Sequence, residues 1–295
     1  MLIKRKCHGV IANRHHRCPL VGRELGKLAV TQLLITNLAI IMVAVILLWL
    51  YSIRIRDVSF IDAFWAFGMV MLAISSYFQT EGDPARKWLL TGLCMLWGLR
   101  LASHLFTRWR AHGEDPRYAK IMGSVTEKRG WSWSRTALFS VFLTQAPLLF
   151  ITCLPAQLGI WASDGGRTVL GPLAAFGAII ALIGIAFETI GDAQLNRFRA
   201  DIANKGKVLD TGLWRYTRHP NYFGDACTWW GIWLVAAEAG LPGWISIIGP
   251  VFLTFTLLKW SGGPLLERGL KKSRPGYEEY IRRTSGFIPW PPKKA

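Results

Sequence analysis

Apolar residues in this chain come in long blocks, without the alternation of a strand or the narrow stripe of a soluble helix. The blocks lie at residues 30–52, 58–78, 88–107, 136–161, 169–191, 223–240 and 243–262. A helix rises about 1.5 Å per residue, so some 20 apolar residues cross a hydrocarbon layer ~30 Å thick. The blocks therefore predict an all-α, polytopic integral membrane protein with about seven transmembrane helices. Gly and Pro within them are no objection, because membrane helices tolerate both. The block at 30–52 is too long for the apolar core of a signal peptide and lacks a small-residue cleavage site, so it reads as the first span. Residues 1–28 carry Lys4, Arg5, Lys6, Arg14, Arg17, Arg23 and Lys27 with no hydrophobic period, and read as a basic tail. Residues 29–295 then form one membrane domain, with its cofactor half at about 165–295.

Composition agrees: 52% of the residues are hydrophobic. The formal charge of +17 invites a nucleic-acid reading, but the cations sit in loops between apolar blocks, and no soluble domain offers a basic face. Nucleic acid is excluded on that ground. The loops after blocks one, three and five and the C-terminal segment hold most of the Lys and Arg, while the alternate loops hold only Arg86, Lys87 and Arg167. The positive-inside rule then puts the C-terminus in the cytoplasm, with a bacterial inner (plasma) membrane as the expected location. The basic tail opposes this, since it would have to cross the membrane; a true start near the first span resolves the conflict. Five cysteines, three of them in or beside apolar runs, define no disulfide framework. Cys7, His8, His15, His16 and Cys18 match no usual zinc spacing, so no metal is expected.

Polar residues gather between blocks five and six. Asp192, Asn196 and Arg199 share one helical face at i, i+4 and i+7; alone, they could be a snorkelling helix end. The turn Arg215-Tyr216-Thr217-Arg218-His219-Pro220-Asn221-Tyr222-Phe223-Gly224-Asp225 follows within a short distance. Arg215 and Arg218 supply planar forks suited to phosphate oxygens, and His219 and Asn221 offer groups that read a sugar or a carboxamide. Pro220 holds His219 extended, so the turn presents these side chains together ahead of the sixth helix. Lys207, in the same basic loop, joins the cofactor-binding set. Polar groups at membrane depth are costly and usually line an interior cavity, so the stretch reads as the wall of a cofactor pocket.

The segment GLWRYTRHPNYFGDACTWWGIWL, from Gly212 to Leu234, resembles the signature of the steroid 5-alpha-reductase-like membrane family, including its bacterial members of uncharacterised-domain type. It is also similar to the sterol C14 and delta-7 reductases. The resemblance extends upstream through Asp192–Arg199 and downstream to Tyr277, Tyr280 and the ending Phe287–Trp290. It implies a membrane reductase that holds NADPH between its C-terminal helices and delivers hydride to the double bond of an enone or sterol-like lipid. Carried over by position, Asp192, Asn196, Arg199, Arg218, Asn221, Tyr222 and Asp225 would contact the cofactor; Glu267, Tyr277 and Tyr280 would close the pocket. No Rossmann motif is needed in such a fold. The prenylcysteine and phospholipid methyltransferases of membranes, which use S-adenosylmethionine, share the Arg-His-Pro-x-Tyr-x-Gly turn and are the alternative. Asp225, the Trp229-Trp230 pair and a single Glu267 tilt the reading toward the reductase. A non-catalytic lipid sensor is a third possibility.

The steroid-gripping Glu and Tyr of that family have no match in type here, so the substrate need not be a steroid. Candidates for the proton donor are Asp62, His104 and Tyr216, each with a plain packing role as its competitor. Arg100 needs a partner inside block three, and Asp62 is the expected one; if they pair, the acid role falls to His104 or Tyr216. Arg108, Glu114, Asp115, Arg117 and Tyr118 resemble the family's lid loop. Trp229 and Trp230 stack on a flat ligand or simply pack. The expected partners are a lipid-soluble substrate and the bilayer, with no obligate protein partner.

Overall fold

The computed structural model describes residues 19–163, 170–260 and 263–293. Its long helices are α1 (Pro19–Ile55), α2 (Ile61–Gln79), α3 (Pro84–His112), α4 (Pro116–Arg129), α8 (Pro172–Ala200) and α9 (Pro220–Ala237). Between α4 and α8 run α5 (Trp133–Ala137), a π turn at Leu138–Phe142, α6 (Leu143–Thr152) and α7 (Leu154–Ala162). After α9 come α10 (Leu241–Ile245), α11 (Ile248–Phe255), a π turn to Trp260, and the surface helices α12 (Gly263–Ser273) and α13 (Tyr277–Arg283). No strand occurs among the described residues, and one parallel bridge pairs Thr217 with Ser285. Proline opens α3, α4, α8 and α9 at the first turn, where its missing N–H costs nothing.

Among the described residues, six helical stretches are long and apolar enough to cross a membrane: Leu28–Ile55, Ile61–Gln79, Pro84–His112, Trp133–Thr152, Pro172–Ala200 and Leu241–Trp260. The all-α membrane fold stands, with three revisions. The sixth block, 223–240, falls in α9, 18 residues long, polar in its first turns and buried on most of its surface, so it threads the centre of the bundle instead of facing lipid. The block at 136–161 is not one helix: the chain bends at Cys153, and Pro155 restarts it as α7. The first helix starts at Pro19, inside the stretch expected to be tail; residues 1–18, with the Cys7-His8 and His15-His16-Cys18 groups, lie outside the described residues.

Glycine brings α8 and α9 together. Gly177, Gly184 and Gly191 recur every seven residues on α8 and face Gly231, Gly224 and Pro220 of α9. A Cβ on Gly184 would lie 2.5 Å from the Gly224 carbonyl oxygen, and one on Gly224 2.6 Å from the Glu188 amide. The two backbones touch, as small-residue interfaces permit in membranes. That contact sets the polar side chains of the two helices side by side.

Candidate functional site

The cleft lies where the C-terminal end of α8, the start of α9, α12 and α13 meet. It is lined by Arg199, Arg218, His219, Arg274, Tyr277 and Tyr280, with apolar walls that include Leu195, Phe198, Val208, Leu266 and Leu270. The 3-10 turn Gly212–Arg215 forms its rim and is pinned from three sides. Leu213 N–H donates to Gln194 Oε1 at 2.9 Å, Trp214 Nε1–H donates to the Gly191 carbonyl at 3.0 Å, and the Tyr280 hydroxyl donates to the Trp214 carbonyl. Gly212 has φ +59°, and a side chain there would run into Gln194, so only glycine fits.

Arg218 is an anchor for the cleft wall. Its Nε donates to Glu267 Oε1 at 2.7 Å, its Nη1 to the Thr284 carbonyl at 2.6 Å, and its backbone N–H to the Ser285 carbonyl at 2.9 Å. The guanidinium expected to fork a phosphate is thus largely committed to protein acceptors. Glu267 also meets His219 Nε2 at 2.9 Å. Burial alone would raise the Glu267 carboxyl, but the hydrogen bonds from His219 and Arg218 and their charges hold it down at about 2. The His219 ring stacks on Tyr222, 5.1 Å between centroids; it is 4% exposed and its Nδ1 has no partner among the described residues. Burial, reinforced by the Glu267 charge, pushes the Tyr277 hydroxyl up.

A second cluster lies deeper, between α3, α8 and α9. Arg100 meets Asp192 Oδ2 and Glu188 Oε2, both at 2.7 Å, and His104 Nε2 lies 3.8 Å from the same Asp192 oxygen. Arg100 does not pair with Asp62: a helix period places Arg100, His104 and Arg108 on one face of α3, and the glycine-tight α8 brings Glu188 and Asp192 against it. Asp225, 6% exposed, sits among these carboxyls with its Oδ1 unpaired. Trp97 and Trp229, wholly buried, meet edge to face at 5.2 Å; the Trp97 indole faces the Asp225 carboxyl, and the Trp229 N–H has no partner among the described residues.

Asp62 belongs to a third group at the mouth. It accepts from the Tyr118 hydroxyl at 2.5 Å and from Arg117 Nη2 at 3.0 Å, with Arg108 3.8 Å away. Asp115 caps α4 by accepting from the Arg117 N–H at 2.9 Å. Burial first, then the Asp62 charge, pushes the Tyr118 hydroxyl well up, which keeps it a donor. These bonds latch α4 over the end of the bundle.

The expected site residues therefore divide. Arg199, Arg218, His219, Tyr277 and Tyr280 line the cleft, and Glu267 braces it. Asp192, Asp225 and His104 stand in the deep cluster. Asn221 and Tyr222 are half-buried in the first turn of α9, between cleft and cluster. Asn196, Lys207 and Arg215 are exposed and outside the cleft lining, and Tyr216, 42% exposed, offers its carbonyl to the Trp290 N–H. Two members were missed. Glu188, a carboxyl inside a spanning block one turn before Asp192, carried a readable signal; Arg274, distant in sequence, carried none.

Six apolar helices that bury a charged cluster beneath a cation-lined cleft define a polytopic membrane protein. The chain belongs to the family described as Protein of unknown function (DUF1295), whose model matches residues 48–284. It is 21% identical over 274 residues to Uncharacterized protein C594.04c of Schizosaccharomyces pombe, covering 82% of this chain and 75% of that protein. It is 36% identical over 106 residues to Probable O-methyltransferase ustE of Ustilaginoidea virens, covering 36% of this chain and 36% of that protein. No solved structure matches.

Proposed function

We propose that the protein is a membrane-embedded, NADPH-dependent reductase of a carbon-carbon double bond in an enone or steroid-like lipid. The observation that carries this reading is the charge at the cleft mouth. Arg199 lies within electrostatic range of both Arg108 and Arg274, three cations from separate elements, and makes no salt bridge among the described residues. Asp62 and Asp115 stand 3.8 Å from Arg108 and Asp192 offsets part of the charge at Arg199, so the excess of positive charge in the cleft rests on Arg199 and Arg274, and such an excess suits a polyanionic ligand. The apolar walls with Tyr277 suit an adenine ring, and the free Nδ1 of His219 suits a ribose or phosphate donor or acceptor. When bound, the nucleotide would supply hydride; the chain's own residues would hold its phosphates at Arg199 and Arg274 and keep water from the bundle interior. The basic mouth also supports a cytoplasmic C-terminus in a bacterial inner membrane.

The likeness to the O-methyltransferase ustE favours a second reading, methyl transfer from S-adenosylmethionine. That cofactor carries a sulfonium and an ammonium, and the carboxylate bracing the cleft, Glu267, is already neutralised by Arg218 and His219. The electrostatics therefore support the reductase. The experiment is turnover by the purified protein: NADPH oxidation with an enone panel is the expected result. Methyl transfer from S-adenosylmethionine without NADPH oxidation would replace the reading, and nucleotide binding without turnover would support a sensor.

A further inference from the structure

The deep cluster holds more acid than base. α3 brings Arg100 and His104, with Arg108 one turn on; α8 brings Glu188 and Asp192, with Arg199 farther along; α9 brings Asp225, with Tyr222 one turn away. From the mouth, Asp62 of α2 and Arg117 of α4 also reach Tyr222 electrostatically. Among the described residues, Arg100 is the one guanidinium or ammonium within 4.0 Å of Glu188, Asp192 or Asp225. Three ionised carboxyls against one guanidinium would leave two uncompensated negative charges in an apolar surround. Isolating a buried charge costs several kcal/mol, whereas taking a proton from water costs about 1.4 kcal/mol per pH unit. Neutralisation by protons is the cheaper solution.

A second observation concerns the same spot. The Trp97 indole lies within hydrogen-bonding reach of the Asp225 carboxyl, and Trp229, edge to face with Trp97 at 5.2 Å, leaves its own N–H without a partner among the described residues. Buried polar atoms are almost always paired. A buried carboxyl with an indole N–H in reach and a second unpaired N–H on the neighbouring ring suits a polar guest or a moving proton.

We infer that Glu188, Asp192 and Asp225 form a proton store, sharing at least one proton with His104, and that this proton completes the saturation of the substrate double bond. The destination rests on the reductase reading; the existence of the store does not. Saturation breaks one C=C π bond and forms two C–H bonds. The reduced nicotinamide nucleotide gives hydride, with both electrons, and is oxidised; the store gives the proton and is left one charge more negative. Water restores it through His104, whose side chain is 20% exposed and is therefore the titrating member open to solvent.

The test uses the full chain purified in detergent, without nucleotide. Infrared spectra at pH 7 are expected to show a protonated-carboxyl C=O band that weakens or disappears in Asp225→Asn, a substitution neutral for neutral that keeps the melting midpoint. In turnover with an enone, Asp225→Asn is expected to lower kcat about a hundredfold, the usual scale of acid catalysis, with the NADPH dissociation constant unchanged. Absence of the band in the wild type, or a band unchanged in Asp225→Asn, Asp192→Asn and Glu188→Gln alike, overturns the proposal. Should Asp225→Asn fail to fold, the wild-type band and the other two variants decide. NADPH titration separates the two ideas: a band without NADPH binding keeps the store and sinks the reductase, whereas binding without the band does the reverse.

Discussion

Two of the polar clusters buried in this bundle differ in kind. At the junction of α1, α2 and α7, Asn37 donates to Ser76 Oγ at 2.8 Å and to Gln157 Oε1 at 2.9 Å, while Gln79 donates to Asn37 Oδ1 at 3.1 Å. Gln157 then donates to the Phe150 carbonyl at 3.1 Å. Every member is neutral, and the network closes on itself. At the junction of α3, α8 and α9, the members are charged and several buried atoms are unpaired. A closed neutral network holds helices in register. An open charged one is expensive in a membrane, and its retention marks function.

That contrast can be broken by mutation, and the largest effect is expected at Arg100. Arg100→Gln removes the cation between Glu188 and Asp192 and should cost roughly 3–5 kcal/mol, the usual penalty for stranding buried charges. Thermal unfolding in detergent reads it, and an unchanged midpoint would mean that Arg100 does not hold the cluster. Asn37→Leu strands Ser76, Gln79 and Gln157 and should cost about 1–3 kcal/mol, with ligand affinity unaffected. A drop in nucleotide affinity there would erase the distinction between a structural and a functional cluster.

Acid sensitivity sharpens it further. The Glu267 carboxyl lies at about 2 in the folded protein, below its ordinary value near 4.5. Its contribution is thus present above the unfolded value and is lost as pH falls through the folded one. Stability should decline between about pH 4.5 and 2, and Glu267→Gln should flatten that slope; an identical slope in the variant would show that Arg218 and His219 do not depend on this carboxylate. The smallest effect is expected at the latch. Tyr118→Phe removes one hydrogen bond to Asp62, worth about 1–2 kcal/mol since the acceptor is a carboxyl, and should raise proteolysis within α4. Protection equal to the wild type would locate the closure elsewhere.

Much of this fold was legible before any coordinates. The apolar blocks located the helices because a hydrocarbon layer demands length and apolarity, both linear properties of sequence. What broke the block at 136–161 was the bend at Cys153 and the restart at Pro155, where local geometry overrides composition. The sevenfold glycine spacing of Gly177, Gly184 and Gly191 was present in the sequence, but its meaning depends on Gly224 and Gly231 standing opposite. The same limit explains Arg100: spacing within α3 puts it beside His104 and Arg108, yet only packing reveals Glu188 and Asp192 as the facing partners. Arg218 was readable as important, and its acceptors at Ile281, Thr284 and Glu267, some fifty and more residues away, turned a phosphate fork into an anchor.

The central claim is that the cleft under Arg199 and Arg274 receives a phosphorylated nucleotide. Equilibrium titration of the purified protein with NADPH and, separately, with S-adenosylmethionine tests it most directly. Saturable NADPH binding, weakened about tenfold in Arg199→Ala and in Arg274→Ala, each losing roughly 1.4 kcal/mol, is the predicted result. Binding of S-adenosylmethionine alone, or NADPH binding indifferent to both arginines, would contradict it.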